Sequence, residues 1–247
     1  MDPAPVSYSL DGLHAPHWTD LSQLFDVPVH TSHGEVDASS ITWLSPLALD
    51  EIPDGYQRWV EKRQREFRAG RHHARTALDR AGAVSPIVRR GDDGLPLFPA
   101  GYHGSITHTG RDLTFAAAAI CTAHHAIGLD AENHKELSAS MVDAILLPME
   151  QRRFHQTTAS AQQAPSSLGL FALWVFSMKE AFYKCIYPHC AAPFGFLDLD
   201  VDVEPSRQAF VVTLRSKKYP DVPSQLGGRY AVDHQRIICA VTWPNRA

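Results

Sequence analysis

The sequence predicts an α+β fold built from two similar halves, on three observations. Two long helical patterns, Tyr56–Ala81 and Leu170–Pro188, lie far apart in the chain. Each is accompanied by several short apolar or alternating runs of the kind that form strands. The 247 residues are enough for a substantial core, and they divide roughly into 1–122 and 123–247, each with one long helix and several strands. No short repeat is present. Such likeness allows a duplicated unit with a site at the seam, where ligand clefts are common.

Composition narrows the function classes. Hydrophobic residues are 44% of the chain, ordinary for a globular protein. Lys plus Arg number 23 against 27 Asp plus Glu, a net charge of −4, which argues against a general nucleic-acid binder. The N-terminus has neither a basic start nor an apolar run, so no signal peptide is expected. The longest apolar segment, Leu168–Phe176, falls far short of the ~20 residues a membrane span needs. Cys121, Cys185, Cys190 and Cys239 show no Cys-x-x-Cys spacing, which indicates neither a disulfide framework nor a zinc site. A cytoplasmic setting follows.

Residues 1–55 are rich in Pro, Ser and His, with strand-like runs at Val27–His30 and Ile41–Leu44. In the helical pattern Tyr56–Ala81, Gly82 is placed to end the helix. Arg58, Arg63, Arg65, Arg68, Arg71 and Arg75 crowd this helix with few acids between them. A solvated face is the common meaning of such a run, and an anionic ligand is the alternative. Strand-like Pro86–Arg90 precedes a turn at Gly91–Gly94. Ser105–Thr109 and Leu113–Ile120 read as two strands joined by a turn. A third, His125–Leu129, leads into Asp130-Ala131-Glu132. Two residues apart on an extended chain, Asp130 and Glu132 point the same way, and they repel unless a cation or solvent lies between them.

Met141–Phe154 reads as helix interrupted at Pro148, and the polar stretch Thr157–Ser167 as a mobile loop. The helix Leu170–Pro188 is apolar on most sides yet carries Lys179, Glu180 and Lys184. A Glu180–Lys184 surface ion pair would explain the four-residue spacing, but carboxylates are seldom set in buried helices without a partner or a metal. Strands at Phe196–Val203, Phe210–Leu214, Gly228–Val232 and Ile237–Trp243 complete the chain. Paired histidines at His72–His73 and His124–His125 do not suggest a metal site, because on a strand adjacent side chains point to opposite faces.

Three oxygen donors, Asp130, Glu132 and Glu180, suit a hard cation such as Mg²⁺, with substrate phosphate and water completing its shell. Arg63, Arg71, Arg90, His108, Lys179 and Lys184 supply charge for a polyphosphate. Together they favour attack at phosphorus. Neither a P-loop nor a Gly-x-Ser-x-Gly nucleophile elbow is present.

Taken together, GSITHT (Gly104–Thr109), IGLDAE (Ile127–Glu132) and WVFSMKEAFYK (Trp174–Lys184) resemble the large, surfactin-synthetase-activating type of 4′-phosphopantetheinyl transferase, including its single-chain actinobacterial and enterobactin-type members. The likeness runs from about Arg58 to the C-terminus. It implies two pseudo-symmetric halves, each a long helix packed on a small antiparallel sheet. Coenzyme A is the implied donor, and the implied acceptor is a serine of an acyl or peptidyl carrier protein in polyketide, nonribosomal peptide or siderophore synthesis. The metal ligands it implies are Asp130, Glu132 and Glu180, for Mg²⁺ or Mn²⁺. Lys179 and Lys184 would contact phosphates. Thr107 and His108 would lie near the 3′-phosphate and pyrophosphate, and Arg63, Arg71 and Arg90 would bind the adenine nucleotide. Glu180, Lys184 and His108 are the implied catalytic groups. Leu129 replaces the motif's Ile or Val, a mild departure. Trp174 lies five residues before Lys179 where the motif has three, which leaves its role open. A monomer is expected. Two rivals use the same residues differently: a Mg²⁺-dependent nucleotide phosphodiesterase with water as nucleophile, and a non-catalytic coenzyme A or carrier-binding module.

Overall fold

A computed structural model of the chain describes residues 20–37, 44–111, 114–122, 125–157, 165–190 and 193–244. Strand β1 (His30–Val36) is followed by helix α1 (Glu61–Arg80), a two-residue hairpin of β2 (Arg89–Arg90) and β3 (Pro96–Leu97), and then β4 (Tyr102–Thr109) and β5 (Thr114–Thr122). The second part contains β6 (Ala126–Asn133), α2 (Ala139–Ile145), α3 (Pro148–Thr157), α4 (Leu168–Ile186), β7 (Leu199–Glu204), β8 (Ala209–Leu214), β9 (Gln225–Val232) and β10 (Arg236–Trp243). Two antiparallel sheets result, ordered β1-β5-β4 and β6-β10-β9-β8-β7.

Side-chain alternation on β5 explains how the layers stack. Ala118 and Ile120 pack on Ala74, Ala77 and Leu78 of α1. The intervening Ala117, Ala119 and Cys121 meet Ile127, Leu129 and Ala131 of β6 and Ile238 and Ala240 of β10. The other face of the large sheet packs on α4, through residues such as Cys239, Val241 and Phe210 against Trp174, Met178 and Phe182. The order is therefore helix, small sheet, large sheet, helix, and the α+β expectation of a long helix on each antiparallel sheet holds. At one end Arg236 bridges the two sheets, pairing with Glu35 of β1 and lying 4.3 Å from the Phe115 ring centroid.

Several boundaries differ from expectation for identifiable reasons. Tyr56–Arg58 forms a separate 3₁₀ turn, because the Gln64 amide donates to the carbonyls of Tyr56 and Trp59 and holds the chain off the helix. Gly82 does end α1, at φ +79°, with its N–H on the Asp79 carbonyl and that of Ala83 on Leu78. The strand expected at Val27–His30 instead runs from His30 to Val36, a polar stretch paired along its whole length with β5. Pro86–Arg90 contributes only its last two residues to a strand. Pro148 starts α3 rather than breaking one helix, as its fixed φ favours. Phe196–Asp198 is a 3₁₀ turn closed by the Gly195 N–H on the Asp198 carboxylate. Of the runs expected at Ile41–Leu44 and Thr157–Ser167, residues 41–43 and 158–164 lie outside the described residues.

Candidate active site

The carboxylates are brought together by a close approach of helix to strand. A Cβ on Gly128 of β6 would lie 1.8 Å from the Ala181 carbonyl oxygen of α4, so only glycine lets the two backbones meet there. Glu180 adjoins that contact point, and Lys184 lies one turn further along. Lys184 Nζ reaches the Asp130 carboxylate at 2.6 Å and the Leu129 carbonyl at 3.3 Å. Ser177, on the same helix, donates to the other Asp130 oxygen at 2.8 Å. The alternative of a Glu180–Lys184 surface pair is not seen: the lysine serves Asp130, which is 4% exposed.

Negative charge exceeds positive here. Burial, then the neighbouring Asp130, raises the Glu132 carboxyl to a pKa of about 7, against the opposing effects of Thr109, Lys184 and Lys135. The same two causes raise Glu180, with Lys184 opposing. Oxygen donors that repel one another are the chemistry a hard divalent cation relieves, so the donor set suits one. In the conformation seen, the Lys184 ammonium stands beside Asp130. Among the described residues, no three His, Cys, Asp or Glu side chains are already disposed to hold a metal.

Two cavities flank this cluster. One, of about 270 Å³, gathers Arg63, Arg71, Arg90 and His108 with Trp59 and Phe67. Four of these recur every four residues along the chain, Trp59, Arg63, Phe67 and Arg71. The Arg63 guanidinium lies 4.8 Å from the Trp59 ring centroid, and that of Arg71 lies 4.4 Å from the Phe67 centroid. This alternation was present in the sequence, and reading the arginines as one run obscured it. Arg63 and Arg90 are exposed. Arg71 is buried, donating to the carbonyls of Val88 (2.8 Å) and Arg89 (3.3 Å), and burial lowers its pKa to about 10. The His108 imidazole faces Glu66 at 3.9 Å and is 46% exposed. The cleft walls lower its pKa, with Glu66 and Asp130 opposing and Lys184 and Lys62 reinforcing the shift. The second cavity, about 600 Å³ and largely apolar, includes Phe98, Tyr183, Tyr187, Glu180 and Lys184. Both cavities share Pro96 and Ile106 as walls.

Two expected phosphate contacts are corrected. Lys179 is fully buried, and its ammonium donates to the Ile145 carbonyl (2.8 Å), the Glu150 carboxylate (2.8 Å) and the Phe196 carbonyl (3.0 Å). An ammonium has three donors, and all are engaged inside the core. Thr107 is 2% exposed, and its hydroxyl accepts the Ala131 N–H and donates to Asp130. Trp174 is also a core residue, its ring 5.4 Å from that of Tyr230. Sequence reasoning missed Trp59, Ser177 and Thr109. Ser177 gave no signal, whereas Thr109 completes the every-second-residue hydroxyl pattern of SITHT.

Comparison with known proteins bears on this geometry. A family model described as the 4′-phosphopantetheinyl transferase N-terminal domain matches residues 53–121, and one described as the 4′-phosphopantetheinyl transferase superfamily matches residues 126–241. The chain is similar to the 4′-phosphopantetheinyl transferase PptT of Mycobacterium tuberculosis, 31% identical over 79% of this chain and 87% of that protein. It is also similar to the 4′-phosphopantetheinyl transferase Npt of Nocardia iowensis, 37% identical over 59% of this chain, a match spanning 61% of that protein's length. The 4′-phosphopantetheinyl transferase Svp of Streptomyces mobaraensis is 30% identical over 74% of this chain and 72% of its own length.

Proposed function

The chain belongs to the 4′-phosphopantetheinyl transferase superfamily and is an enzyme of that class; from that premise we propose which of its residues move 4′-phosphopantetheine from coenzyme A to a carrier-protein serine. The cation-lined cavity takes the adenosine 3′-phosphate end, with Arg63 and Arg90 as its charged contacts, the His108 imidazole as a hydrogen-bond donor and Arg71 bracing the wall behind them. The larger apolar cavity takes the pantetheine arm. The pyrophosphate lies between them, beside Lys184 and the carboxylates. Asp130, Glu132 and Glu180 would hold Mg²⁺ or Mn²⁺, which when bound neutralises charge on the pyrophosphate.

In the transfer, the serine oxygen forms a bond to the β-phosphorus as the bond to adenosine 3′,5′-bisphosphate breaks. The serine proton goes to Glu180, which lines the larger cavity. Lys184 and His108 hold the departing phosphate's charge. Both halves of the site come from one chain, so one copy suffices and a monomer acts. The described cysteines are all free thiols, in keeping with a cytoplasmic setting, and among the described residues no helix is long and apolar enough to cross a membrane. Acyl and peptidyl carrier proteins are the partners; nucleic acid is not.

The observation that carries this reading is the juxtaposition of the carboxylate cluster with two adjacent cavities, one cationic and one apolar. Incubating the protein with coenzyme A, Mg²⁺ and an apo carrier protein should add the phosphopantetheine mass to the carrier. Glu180→Gln should slow that addition by about 100-fold or more while the circular dichroism spectrum stays unchanged. Near wild-type turnover of the variant at saturating Mg²⁺ would remove Glu180 from the chemistry. Release of adenosine 3′,5′-bisphosphate without any carrier would make the enzyme a phosphodiesterase instead.

A further inference from the structure

The two sheets meet at their edge strands, β4 and β6, and they meet through side chains. On β4 every second residue from Ser105 bears a hydroxyl: Ser105, Thr107 and Thr109, all buried. Each accepts a backbone N–H from β6, from Leu129 (2.9 Å), Ala131 (3.1 Å) and Asn133 (3.2 Å) respectively. A hydroxyl that accepts from a backbone amide still has its single proton to donate. At Ser105 the proton faces the Leu129 carbonyl at 3.4 Å. At Thr107 and Thr109 it faces carboxylates instead, Asp130 and Glu132, each at 3.3 Å. The backbone bond fixes where each oxygen sits, and at Thr107 and Thr109 the carboxylate lies within reach of the proton.

The two carboxylates differ in what else holds them. Asp130 also has Ser177 and Lys184, whereas among the described residues Thr109 is the one hydrogen-bond donor to Glu132. We propose that Thr109, and to a smaller degree Thr107, is a positioning residue that aims the β6 carboxylates at the cation site. The β4 hydroxyls thereby register the nucleotide-binding sheet against the metal-binding one. On this account the same strand positions both parts of the substrate's anionic end, since His108 lies between the two threonines and lines the cationic cavity. The assignment rests on the reading of Asp130, Glu132 and Glu180 as cation ligands.

The test compares variants of the full chain for Mn²⁺ affinity, measured by electron paramagnetic resonance with and without coenzyme A, alongside thermal unfolding. Removing an outer-shell partner of a metal ligand typically costs 10–100-fold in affinity. Thr109→Val should therefore weaken Mn²⁺ about tenfold or more, Thr107→Val by less, and Thr109→Ser should restore it. Ser105→Ala removes the same kind of staple but faces no carboxylate. It should lower the melting temperature as Thr109→Val does and leave Mn²⁺ affinity unchanged. Should Thr109→Val not fold, Thr109→Cys makes the same comparison, because a thiol is a weak donor. Wild-type Mn²⁺ affinity in a folded Thr109→Val protein, with a lowered melting temperature, would reduce Thr109 to a staple and overturn the proposal. Failure of the wild-type chain itself to bind Mn²⁺ in either condition would instead overturn the metal reading, and this assignment with it.

Discussion

The two halves bury a long helix against a sheet in opposite ways. In α1 eight of twenty residues are buried, and three of these are titratable: Arg65, Arg71 and His73. Its sheet offers the small residues of β5, so α1 sits close, and the partners of its buried arginines are chiefly neighbouring carbonyls, of Arg111 for Arg65 and of Val88 and Arg89 for Arg71. In α4 thirteen of nineteen residues are buried, Lys179 being the one charge among them, and it is matched by the Glu150 carboxylate. The lesson is a division of labour. The helix with an open face supplies cations to a solvent-accessible cavity. The enclosed helix supplies a low-polarity wall in which acid groups shift and repel, as a cation site needs.

The sharpest way to break this contrast is to remove the buried lysine. Lys179→Met should cost about 3–5 kcal/mol, because Glu150 would remain in the core without its counter-charge. Urea unfolding measures it, and Lys179→Met with Glu150→Gln should recover part of the loss. Arg71→Met, whose partners are neutral carbonyls, should cost less, about 2 kcal/mol. Equal costs would show that the two halves hold their buried charges alike.

Acid should act on the first half through His73. That ring is 3% exposed, its Nδ1 lies 2.9 Å from the Ser32 hydroxyl, and burial first, with His72, His33 and Arg80 adding, lowers its pKa from 6.5 to about 3. Below pH 6.5 the unfolded chain takes up a proton that the folded one refuses until about pH 3, so stability is lost progressively as pH falls through that window. The loss by pH 5 should be roughly 2 kcal/mol. His73→Gln should flatten the unfolding midpoint between pH 6.5 and 5. An unchanged pH slope would place the acid sensitivity elsewhere.

The smallest expected effect separates binding from bracing within the cationic cavity. His108→Ala should weaken coenzyme A about tenfold, and dephospho-coenzyme A much less, without lowering the melting temperature. Arg71→Ala should also lower the melting temperature, since its guanidinium supports the Val88–Arg89 backbone. Titration calorimetry with both ligands tests this, and equal weakening of both ligands by His108→Ala would move that histidine away from the 3′-phosphate.

How much was legible follows the same divide. That Asp130 and Glu132 share one side of a strand, and Glu180 and Lys184 one face of a helix, was readable because strand period and helix spacing are local properties that survive folding. The role of Lys179 was not. Whether a lysine on an apolar helix points to a cleft or to a carboxylate 29 residues earlier depends on packing by α2, α3 and the turn at Phe196, which no local pattern encodes. Thr107 misled for a related reason, because its partner belongs to another sheet. The polar strand β1 and the 3₁₀ turn at Tyr56–Arg58 were hidden likewise, the first set by pairing with β5 and the second by a side-chain amide.

The hydroxyl seam has a consequence for the protein in concentrated solution. β6 is an outermost strand, and a bare edge of backbone amides is a template on which other chains add strands and precipitate. Here three successive outward amides are already bound by Ser105, Thr107 and Thr109. Side chains of β4 thus close the edge beside the carboxylates to strand addition, with no backbone ladder between the two strands.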